Sequence, residues 1–431
     1  MTNRWTNWVG DQSCHPDVIA TPTYRDAVCY HVRRATQAGR TVRVAGSGHS
    51  FSDAALTDGT LLSLSRMNRV LDVDTESGLA RVEAGITLNE LSAVLHEHGR
   101  ALPNLGDIDA QSIAGATATG THGTGSTLPN LSAGLRSIEL VLADGSAVEV
   151  NADTDPDAWR AARVSIGALG VVTAVTVETV PSFVLEAVEK AIPLEDVLAN
   201  IDSYVDDNDH FEFFSFPHSP IALTKRNNRT AEAEQPRATT SAWVHDRLLQ
   251  NHGLEAVCRV GRAQPRLIPT INRTVSKFAG HSHRIDRSYR IFATPRLVRM
   301  AEMEYALPRA DGVDAFREVK EISERPEFDV PFPIEVRWVA QDDAHLSPAG
   351  GRDTCYIAVH MFEGMAWEPY FRTVEKLFDS FDGRPHWGKR HFQTADTLHH
   401  RYPEWETFAA VRDRLDPERV FTNEFVRRVL G

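Results

Sequence analysis

The sequence of 431 residues predicts an α+β fold of two domains, on three observations. A helix-like segment at residues 25–39 leads into a strand, Val42–Ala45, which gives the chain a βαβ-like opening. This strand stops at a Gly/Ser turn, and a second stretch of small residues follows at 112–125. After Pro181, aromatic strand-like segments mix with helices and few βαβ repeats occur, which is typical of an α+β domain.

Further elements of the first half follow from local patterns. The segment 87–98 has apolar residues at helical spacing and ends at Gly99, so we expect a helix. Asp144-Gly145 is a favoured tight turn, so residues 138–142 and 147–150 are expected to pair as a hairpin. The remaining predicted elements are strands at 60–64, 70–73, 80–83 and 171–180 and a helix at 159–165.

The second half is predicted in less detail. The polar segment 225–240 is expected to form an exposed loop. The other predicted elements are strands at 289–293, 334–338 and 355–360 and helices at 313–324 and 370–378.

The composition excludes several classes of protein. The formal net charge of −13 argues against a nucleic-acid partner, because phosphate binding needs a basic face. The first residues have neither the apolar core nor the cleavage site of a signal peptide. No apolar run is long enough to cross a bilayer, so we expect a cytoplasmic protein without a membrane segment.

The cysteines and histidines do not predict a metal site or disulfides. Cys14, Cys29, Cys258 and Cys355 lie far apart without a CxxC pair and are expected to be reduced thiols. The histidine pairs of the sequence lack metal-ligand spacing and neighbouring carboxylates, so we predict no metal.

The turn after the strand Val42–Ala45 reads Gly46-Ser47-Gly48 and is followed by His49. Two glycines within three residues let the backbone take positive φ and approach a ligand closely. Consecutive N–H groups in such a turn form an anion-binding nest, which suits a cofactor that carries phosphate. From the residues alone, His49 is either a structural or a catalytic histidine.

The second stretch, 112–125, consists almost entirely of Gly, Ala, Thr and Ser. It could be a flexible linker, but Ile113 and the alternating Ala and Thr favour ordered backbone lying against a large ligand. Two such loops suggest a dinucleotide. Neither loop is a GxGxxG followed by a helix, so an NAD dehydrogenase of the Rossmann type lacks its fingerprint.

Several long motifs carry a family resemblance. GSGHSF at 46–51, LPNLGDIDAQSIAGATATGTHGTG at 102–125 and VSIGALGVVTAVTVETVP at 164–181 resemble the vanillyl-alcohol-oxidase-type FAD flavoproteins. RPHWGKRHFQT at 384–394 and LDPERVFTNEFVRRVLG at 415–431 resemble the sugar-acid lactone oxidase branch, close to the bacterial alditol oxidases. The resemblance implies an FAD-binding domain at 1–180, an α+β substrate (cap) domain over the flavin at 181–391, and a segment at 392–431 that returns to the FAD-binding domain.

The resemblance also implies the cofactor site. His49 corresponds to the histidine that the family bonds covalently to the flavin 8α-carbon, as a neutral imidazole nitrogen can do. The other residues that the resemblance assigns to FAD are Gly46, Ser47, Gly48, Ser50, Phe51, Gly106, Asp107, Ser112, Gly115, Thr117, Thr119, Gly120, His122, Gly123, Gly170, Val171 and Asn423.

Four residues are predicted to be catalytic. Strand alternation places Glu335 and Arg337 on one face, where they form either a structural ion pair or a hydroxyl-binding pair. By resemblance, both lie over the flavin, with Arg337 polarising the substrate oxygen and Glu335 orienting a hydroxyl. Lys389 would stabilise negative charge on the reduced flavin, and His360 corresponds to a substrate-side histidine.

Two departures from the alditol oxidases predict the substrate. Gly106-Asp107 stands where those enzymes have Ala-Ser, and Phe362 stands where they have threonine. A flat lactone could stack on Phe362 while Asp107 accepts hydrogen bonds from its hydroxyls. By resemblance, a small residue at Gly106 is linked with access of oxygen to the flavin.

The sequence therefore predicts FAD-dependent oxidation of a sugar-acid lactone of the L-gulono-1,4-lactone or D-arabinono-1,4-lactone type. The hydride would pass to flavin N5, and O2 or another electron acceptor would reoxidise the flavin. The first alternative is an alditol oxidase acting on a polyol such as xylitol or sorbitol. The second is a flavin-bound protein without turnover.

Overall fold

The computed structural model describes residues 3–235, 253–278, 281–294 and 297–431. The described chain combines several sheets with helices on their faces, so the predicted α+β fold class is confirmed. No helix of the described residues is both long and apolar enough to span a membrane.

The first 181 residues contain twelve of the described strands and four of the described α-helices. The strands are β1 (Trp5–Thr6), β2 (Ser13–Cys14), β3 (Val18–Ala20), β4 (Val42–Ala45), β5 (Thr60–Ser63), β6 (Val70–Asp74), β7 (Leu79–Glu83), β8 (Arg100–Ala101), β9 (Leu135–Val141), β10 (Ala147–Asn151), β11 (Val171–Glu178) and β12 (Val180–Pro181). The helices are α1 (Arg25–Gln37), α2 (Leu88–Glu97), α3 (Ile113–Ala118) and α4 (Pro156–Arg163).

After the short antiparallel pair β1-β2, the chain forms a small parallel sheet in the order β3-β5-β4. Helix α1 covers it with Val28, Val32 and Ala35, whose spacing of three to four residues keeps them on one buried face. The parallel strands direct the carboxyl end of β4, and so the glycine turn after it, to one edge of the sheet. This placement brings the turn next to the segments that build the site.

An antiparallel sheet in the order β10-β9-β11-β7-β6 forms the second layer of this part. The predicted hairpin is confirmed, with Ala147 opposite Val141 and Gly145 at φ +80° in the turn. The predicted helix 87–98 is confirmed as α2. Its first turn is held by a capping box in which Thr87 and Glu90 each bond the backbone of the other.

The larger sheet is antiparallel and has the order β16-β13-β15-β14-β18-β19-β17-β20. Its strands are β13 (Val184–Pro193), β14 (His210–Ser215), β15 (Ile221–Thr230), β16 (Ser282–Arg287), β17 (Met300–Pro308), β18 (Ile334–Val339), β19 (Thr354–Phe362) and β20 (Arg384–Pro385). The helices that accompany it are α5 (Leu194–Ala199), α6 (Ile201–Asp206), α7 (Leu254–Ala263), α8 (Ile268–Phe278), α9 (Ser288–Phe292), α10 (Gly312–Ser323) and α11 (Glu368–Ser380).

One face of the large sheet is apolar and the other carries charged residues. Phe213, Met303 and Val336 pack with Phe316 of α10 and Phe371 of α11 in one core cluster. Because side chains alternate along a strand, the neighbouring residues of the same strands point to the opposite face. That opposite face carries the buried charged residues of the site.

The last 40 residues form α12 (Ala395–Leu398), α13 (Trp405–Leu415) and α14 (Glu424–Leu430). Phe408 and Val426 join the core cluster that contains Ile138 and Leu140 of β9, so these helices pack on the first part of the chain. The domain boundaries at 180/181 and 391/392 stay a prediction.

The structure corrects two predicted elements. Residues 225–230 of the predicted loop 225–240 belong to strand β15 (Ile221–Thr230), and 236–240 lie outside the described residues. Lys225 and Asn227 resemble loop residues because they are polar, but Asn227 is buried and the Lys225 ammonium lies 2.9 Å from Glu212 Oε1. Residues 289–293 were predicted as a strand but mostly belong to the short helix α9, which buries Ile291 and Phe292.

Candidate active site

A cleft of about 250 Å³ lies between the turn after β4, helix α3 and the loop before β11. We call it the glycine cleft, and its wall includes Gly46, Ser47, Gly48, His49, Ser50, Ser112, Gly115, Thr119, Ser165, Gly167 and Gly170. The walls approach each other closely, since a Cβ on Gly46 would lie 2.5 Å from Ser112 Oγ. The cleft therefore suits a long ligand that contacts backbone rather than side chains.

The turn after β4 offers unsatisfied donors to this cleft. Within the described residues, no protein acceptor takes a hydrogen bond from the backbone N–H of Ser47, Gly48, His49 or Ser50. Gly48 has φ +72°, in the left-handed region that glycine adopts without strain. Consecutive free N–H groups of this kind fit the phosphates of a dinucleotide such as FAD.

Arg43 holds the walls of the glycine cleft together, although the sequence did not point to it. Its buried guanidinium donates to the carbonyl oxygens of Ala54, Ile166, Gly167 and Phe421. Burial lowers its pKa to about 10, so the group is still a cation at neutral pH. Four carbonyls from distant segments are thus fixed by one side chain.

His49 lies at the junction of the glycine cleft with a second cavity. Its imidazole stacks on the indole of Trp8, with ring centroids 5.2 Å apart and planes at 23°. Burial, and then the nearby Lys389 cation, lower its pKa below the ordinary value of 6.5. The ring is therefore neutral at pH 7, the form that a covalent bond to a flavin requires.

The second cavity has a volume of about 120 Å³ and many ionisable residues in its wall, and we call it the charged cavity. Its wall includes His49, Ser50, Phe51, Gly106, Asp107, His122, Phe214, Glu302, Glu304, Phe332, Glu335, Arg337, His360, His386 and Lys389. All four predicted catalytic residues thus line one cavity together with His49.

Arg337 is surrounded by carboxylates. Its Nε donates to Glu212 Oε2 at 2.7 Å, and its Nη2 lies 2.8 Å from Asp107 Oδ2 and in contact with Glu335 Oε1. Burial works against the charge, but the carboxylates, Asp107 first, raise the pKa of Arg337 well above its usual value. Within the described residues Nη1 has no protein partner, so it is the nitrogen left for a ligand.

Lys389 and His360 share one carboxylate. Lys389 Nζ contacts Glu302 Oε1, and His360 Nε2 lies 3.5 Å from the same oxygen and 3.9 Å from Glu335 Oε2. Burial alone would raise the pKa of Glu302, but Lys389 and His360 lower it below 4.5. His360 Nδ1 donates to the carbonyl of Pro333 at 3.0 Å, which leaves the lone pair on Nε2 in the neutral ring.

A third group surrounds His122. Its Nδ1 donates to Gly123 O at 2.8 Å, its Nε2 lies 3.3 Å from Glu304 Oε1, and its ring stacks on Tyr356. His386 is buried beside it, and burial lowers its pKa to about 3, so its ring is neutral.

Two clusters of the described residues bring possible metal-ligating atoms within 4.8 Å of one another, His122–Glu304–His386 and Asp107–Glu212–Glu335. In the first, His386 Nδ1 already accepts a hydrogen bond from Gly388 N. In the second, the guanidinium of Arg337 already lies among the carboxylates. The predicted absence of a metal stays a prediction.

The structure places some predicted FAD residues away from both cavities. Thr117 donates to Ile113 O within α3, and Val171 packs in a core cluster beside the cleft. Asn423 caps α14 and donates to the carbonyls of Asp53, Ala54 and Leu56, so its side chain fixes backbone. Two glycines also lie outside the cavity walls, Gly120 against Pro348 and Gly123 against Asn104.

The predicted role of Phe362 is not supported by its position. Phe362 is buried in a cluster with Phe332, with ring centroids 6.3 Å apart, and Arg262 covers it. Phe332 lines the charged cavity, and Phe362 does not. Of these two neighbouring rings, Phe332 is the one that a substrate in the charged cavity can contact.

Sequence reasoning missed Glu212, Lys225, Glu302, Glu304 and His386. Each of the three glutamates sits in a strand between apolar residues, FEF in β14 and AEMEY in β17. A carboxylate between apolar residues of a strand indicates a buried charge, and a buried charge needs a partner of opposite charge. The partners could not be named, because they come from segments distant in the sequence.

The fold and the two joined cavities define a flavoprotein. Residues 16–151 match the profile of the FAD binding domain. The crystal structure of cholesterol oxidase from B. sterolicum superposes with a TM-score of 0.84 at 16% identity, covering 100% of this chain and 97% of that chain. A solvent-stable cholesterol oxidase gives a TM-score of 0.83 at 17% identity, covering 99% and 97%. These similarities show the fold.

Residues 175–429 match the profile of D-arabinono-1,4-lactone oxidase, and the chain belongs to that family of FAD-dependent oxidoreductases. L-Gulono-1,4-lactone dehydrogenase of Mycobacterium tuberculosis is 48% identical over 431 residues, 100% of both chains. L-Gulonolactone oxidase of Bos taurus is 33% identical, covering 99% of this chain and 98% of that protein. Alditol oxidase of a Streptomyces species is 32% identical over 100% of both chains. The predicted family resemblance is thus confirmed.

Proposed function

We propose that the protein oxidises a sugar-acid lactone of the L-gulono-1,4-lactone or D-arabinono-1,4-lactone type, at the CH–OH next to the ring carbonyl. The L-gulono-1,4-lactone dehydrogenase that is 48% identical over the full length acts, by its name, on such a lactone. The observation that carries the proposal is the pairing of Arg337 with Asp107 at 2.8 Å in the cavity that His49 also lines. By the resemblance, the alditol oxidases carry serine at the position of Asp107.

FAD, when bound, supplies the two-electron acceptor for the oxidation. Arg337 offers Nη1 to the substrate oxygen, since its Nε and Nη2 are held by the protein. Its fixed charge stabilises negative charge that develops on that oxygen. Asp107 lines the same cavity, and carboxylate oxygens are hydrogen-bond acceptors for a substrate hydroxyl.

His360 is placed to take the hydroxyl proton at Nε2. Its Nδ1–H is committed to Pro333 O, so the ring cannot turn without losing that bond. Glu302 and Glu335 flank Nε2 and stabilise the imidazolium once the proton has arrived. Lys389 is already a donor to Glu302 and supplies positive charge rather than a base.

The covalent bond at His49 and the electron acceptor belong to the same proposal. A neutral, stacked imidazole at the junction of the two cavities supports the bond. Gly106 lines the charged cavity without a side chain, which supports access of O2, although a different acceptor would use the same site. The cytoplasmic location and the lack of a nucleic-acid partner stay predictions from the sequence.

The test is anaerobic stopped-flow reduction of the holoenzyme with L-gulono-1,4-lactone and, separately, with xylitol, followed by mixing with air. Bleaching of the flavin by the lactone and not by xylitol supports the proposal. Bleaching by xylitol alone would assign the protein to the alditol oxidases, and no bleaching by either would leave a flavin-bound protein without this turnover. The rate of reoxidation in air separates an oxidase from a dehydrogenase.

A further inference from the structure

We propose that Lys225 and Glu212 are positioning residues that hold Arg337 and Asp107 in place for the substrate, as two members of a closed ring of four alternating charges. The catalytic part of this inference, the positioning of Arg337 and Asp107 for a lactone, rests on the proposed function. Neither Lys225 nor Glu212 lies in the wall of the charged cavity, so both act through the residues that do.

The sheet itself sets up three of the four members. In the antiparallel register Glu212 of β14 lies directly opposite Lys225 of β15 on one side and Arg337 of β18 on the other. Cross-strand neighbours point to the same face, so the three side chains form a row across the sheet. Glu212 Oε1 lies 2.9 Å from Lys225 Nζ, and Glu212 Oε2 lies 2.7 Å from Arg337 Nε.

Asp107 closes the ring from the other part of the protein. It lies between β8 and α3, with Oδ2 at 2.8 Å from Arg337 Nη2 and Oδ1 at 3.6 Å from Lys225 Nζ. Each carboxylate thus uses one oxygen for each cation. The ring joins the large sheet to the loop that carries Gly106. It therefore fixes both this loop and Arg337, the cation that would contact the substrate.

The ring of four charges is buried, so each charged group is stabilised by its oppositely charged neighbours rather than by water. The side chains are between 3% and 15% exposed. Burial would lower the pKa of Lys225, but Glu212 and Asp107 outweigh burial and raise it, which keeps the ammonium charged at neutral pH. The other ionisable groups that face the ring are Glu189 of β13, Glu304 of β17, Glu335 of β18 and His360 of β19.

Removal of Lys225 should therefore leave the buried carboxylate of Glu212 with an excess of negative charge around it, because Glu212 and Asp107 then share Arg337 as the remaining cation of the ring. Such a group binds a proton in the folded state at a higher pH than in the unfolded state. Between those two pKa values the folded state holds more protons, so the stability of the variant rises as the pH falls. A loss of packing alone would be independent of pH.

The experiment compares holoenzymes of wild type, Lys225→Met, Lys225→Arg, Lys225→Met/Glu212→Gln and the control Lys190→Met. Lys190 is the same residue type on neighbouring strand β13, outside the ring. Two quantities are measured between pH 5.5 and 8. They are the melting temperature and the anaerobic rate of flavin reduction by L-gulono-1,4-lactone, with its substrate dependence.

We expect Lys225→Met to slow flavin reduction about 10- to 100-fold, because Arg337 loses its fixed orientation. Its deficit in melting temperature should shrink as the pH falls from 8 to 5.5. The double variant restores the net charge of the cluster and should recover most of the deficit in melting temperature. The melting temperature of Lys225→Arg should lie between those of Lys225→Met and wild type. Lys190→Met should match wild type in both measurements. Because the double variant carries the test, a Lys225→Met chain that does not fold still leaves the proposal falsifiable.

The proposal is overturned by a deficit of Lys225→Met that is equal at every pH, by wild-type reduction rates in that variant, or by a double variant no better than the single one. If wild type is not reduced by the lactone, the proposed function fails. The pH dependence of the melting temperature then still decides whether the ring exists, since it needs no substrate.

Discussion

The imidazole of His49 stacks on the indole of Trp8, with the two ring centroids 5.2 Å apart. His49 lies where the glycine cleft meets the charged cavity. The stack limits the ring to one plane, and burial keeps it neutral by lowering its pKa. Both effects serve a nitrogen that must present its lone pair in one direction.

His49→Ala should yield a folded protein whose flavin is released when the protein is precipitated with acid, whereas the wild-type flavin should stay with the protein. The exposed His15→Ala serves as the control and should retain its flavin. Absorbance of the supernatant and of the redissolved pellet measures the outcome. Release of flavin from wild type as well would contradict the covalent bond.

Glu302→Gln should weaken the contacts that Glu302 makes with the Lys389 ammonium and the His360 imidazole. We expect a loss of about 2 kcal/mol in the free energy of unfolding at pH 7, the usual contribution of a hydrogen bond to a charged group. Burial raises the folded-state pKa of Glu302, but Lys389 and His360 outweigh burial and lower it, so its contribution is present above pH 4.5 and is lost as the pH falls below that value.

Denaturant unfolding of wild type and Glu302→Gln at several pH values between 3.5 and 7 measures this effect. The difference between the two proteins should be largest at pH 7 and should narrow at the acid end. A difference that stays constant over this range would show that the carboxylate charge of Glu302 does not matter for stability.

Arg337→Lys should slow flavin reduction by the lactone about 100-fold or more, because an ammonium cannot meet Glu212, Asp107 and a substrate oxygen with one rigid fork. Stopped-flow reduction at saturating substrate gives the rate. Arg40→Lys, at an exposed ion pair with Asp17, is the matched control and should react as wild type does. An equal rate in both variants would exclude the assigned role of Arg337.

Phe332→Leu and Phe362→Leu test which of these two neighbouring aromatic rings contacts the substrate. Phe332 lines the charged cavity, so its substitution should raise KM for the lactone several-fold. Phe362 is buried away from the cavity wall, so Phe362→Leu should lower stability by about 1 kcal/mol and leave KM unchanged. If KM responded only to Phe362, the role predicted from the sequence would be correct after all.

Gly106→Ala should slow reoxidation of the reduced flavin by air and lower the melting temperature. A Cβ at this position would lie 2.9 Å from the backbone oxygen of His122, so the backbone has to shift. Gly134→Ala is the control, because its Cβ would come no closer than 3.8 Å to another atom. Stopped-flow mixing of the reduced enzyme with oxygenated buffer measures reoxidation, and equal rates in both variants would exclude a role of Gly106 in oxygen access.

The parts of the site that the sequence predicted are those built from continuous segments. The turn at Gly46-Ser47-Gly48 with His49 depends on local backbone preferences, and the structure places it in the wall of the glycine cleft. The same holds for the common face of Glu335 and Arg337, which follows from strand alternation. Thr117 and Asn423 were assigned to FAD by motif, but their local hydrogen bonds hold backbone instead.

By itself, the sequence determined the fold class, the family and the position of the glycine turn, since short-range patterns specify these features. Only the tertiary structure decided the charge partners. Lys225 was expected in an exposed loop, because its own segment is polar. Its partners Glu212 and Asp107 come from another strand and from the other part of the chain. Strand register and the docking of the two parts bring them together, and burial makes their pairing obligatory.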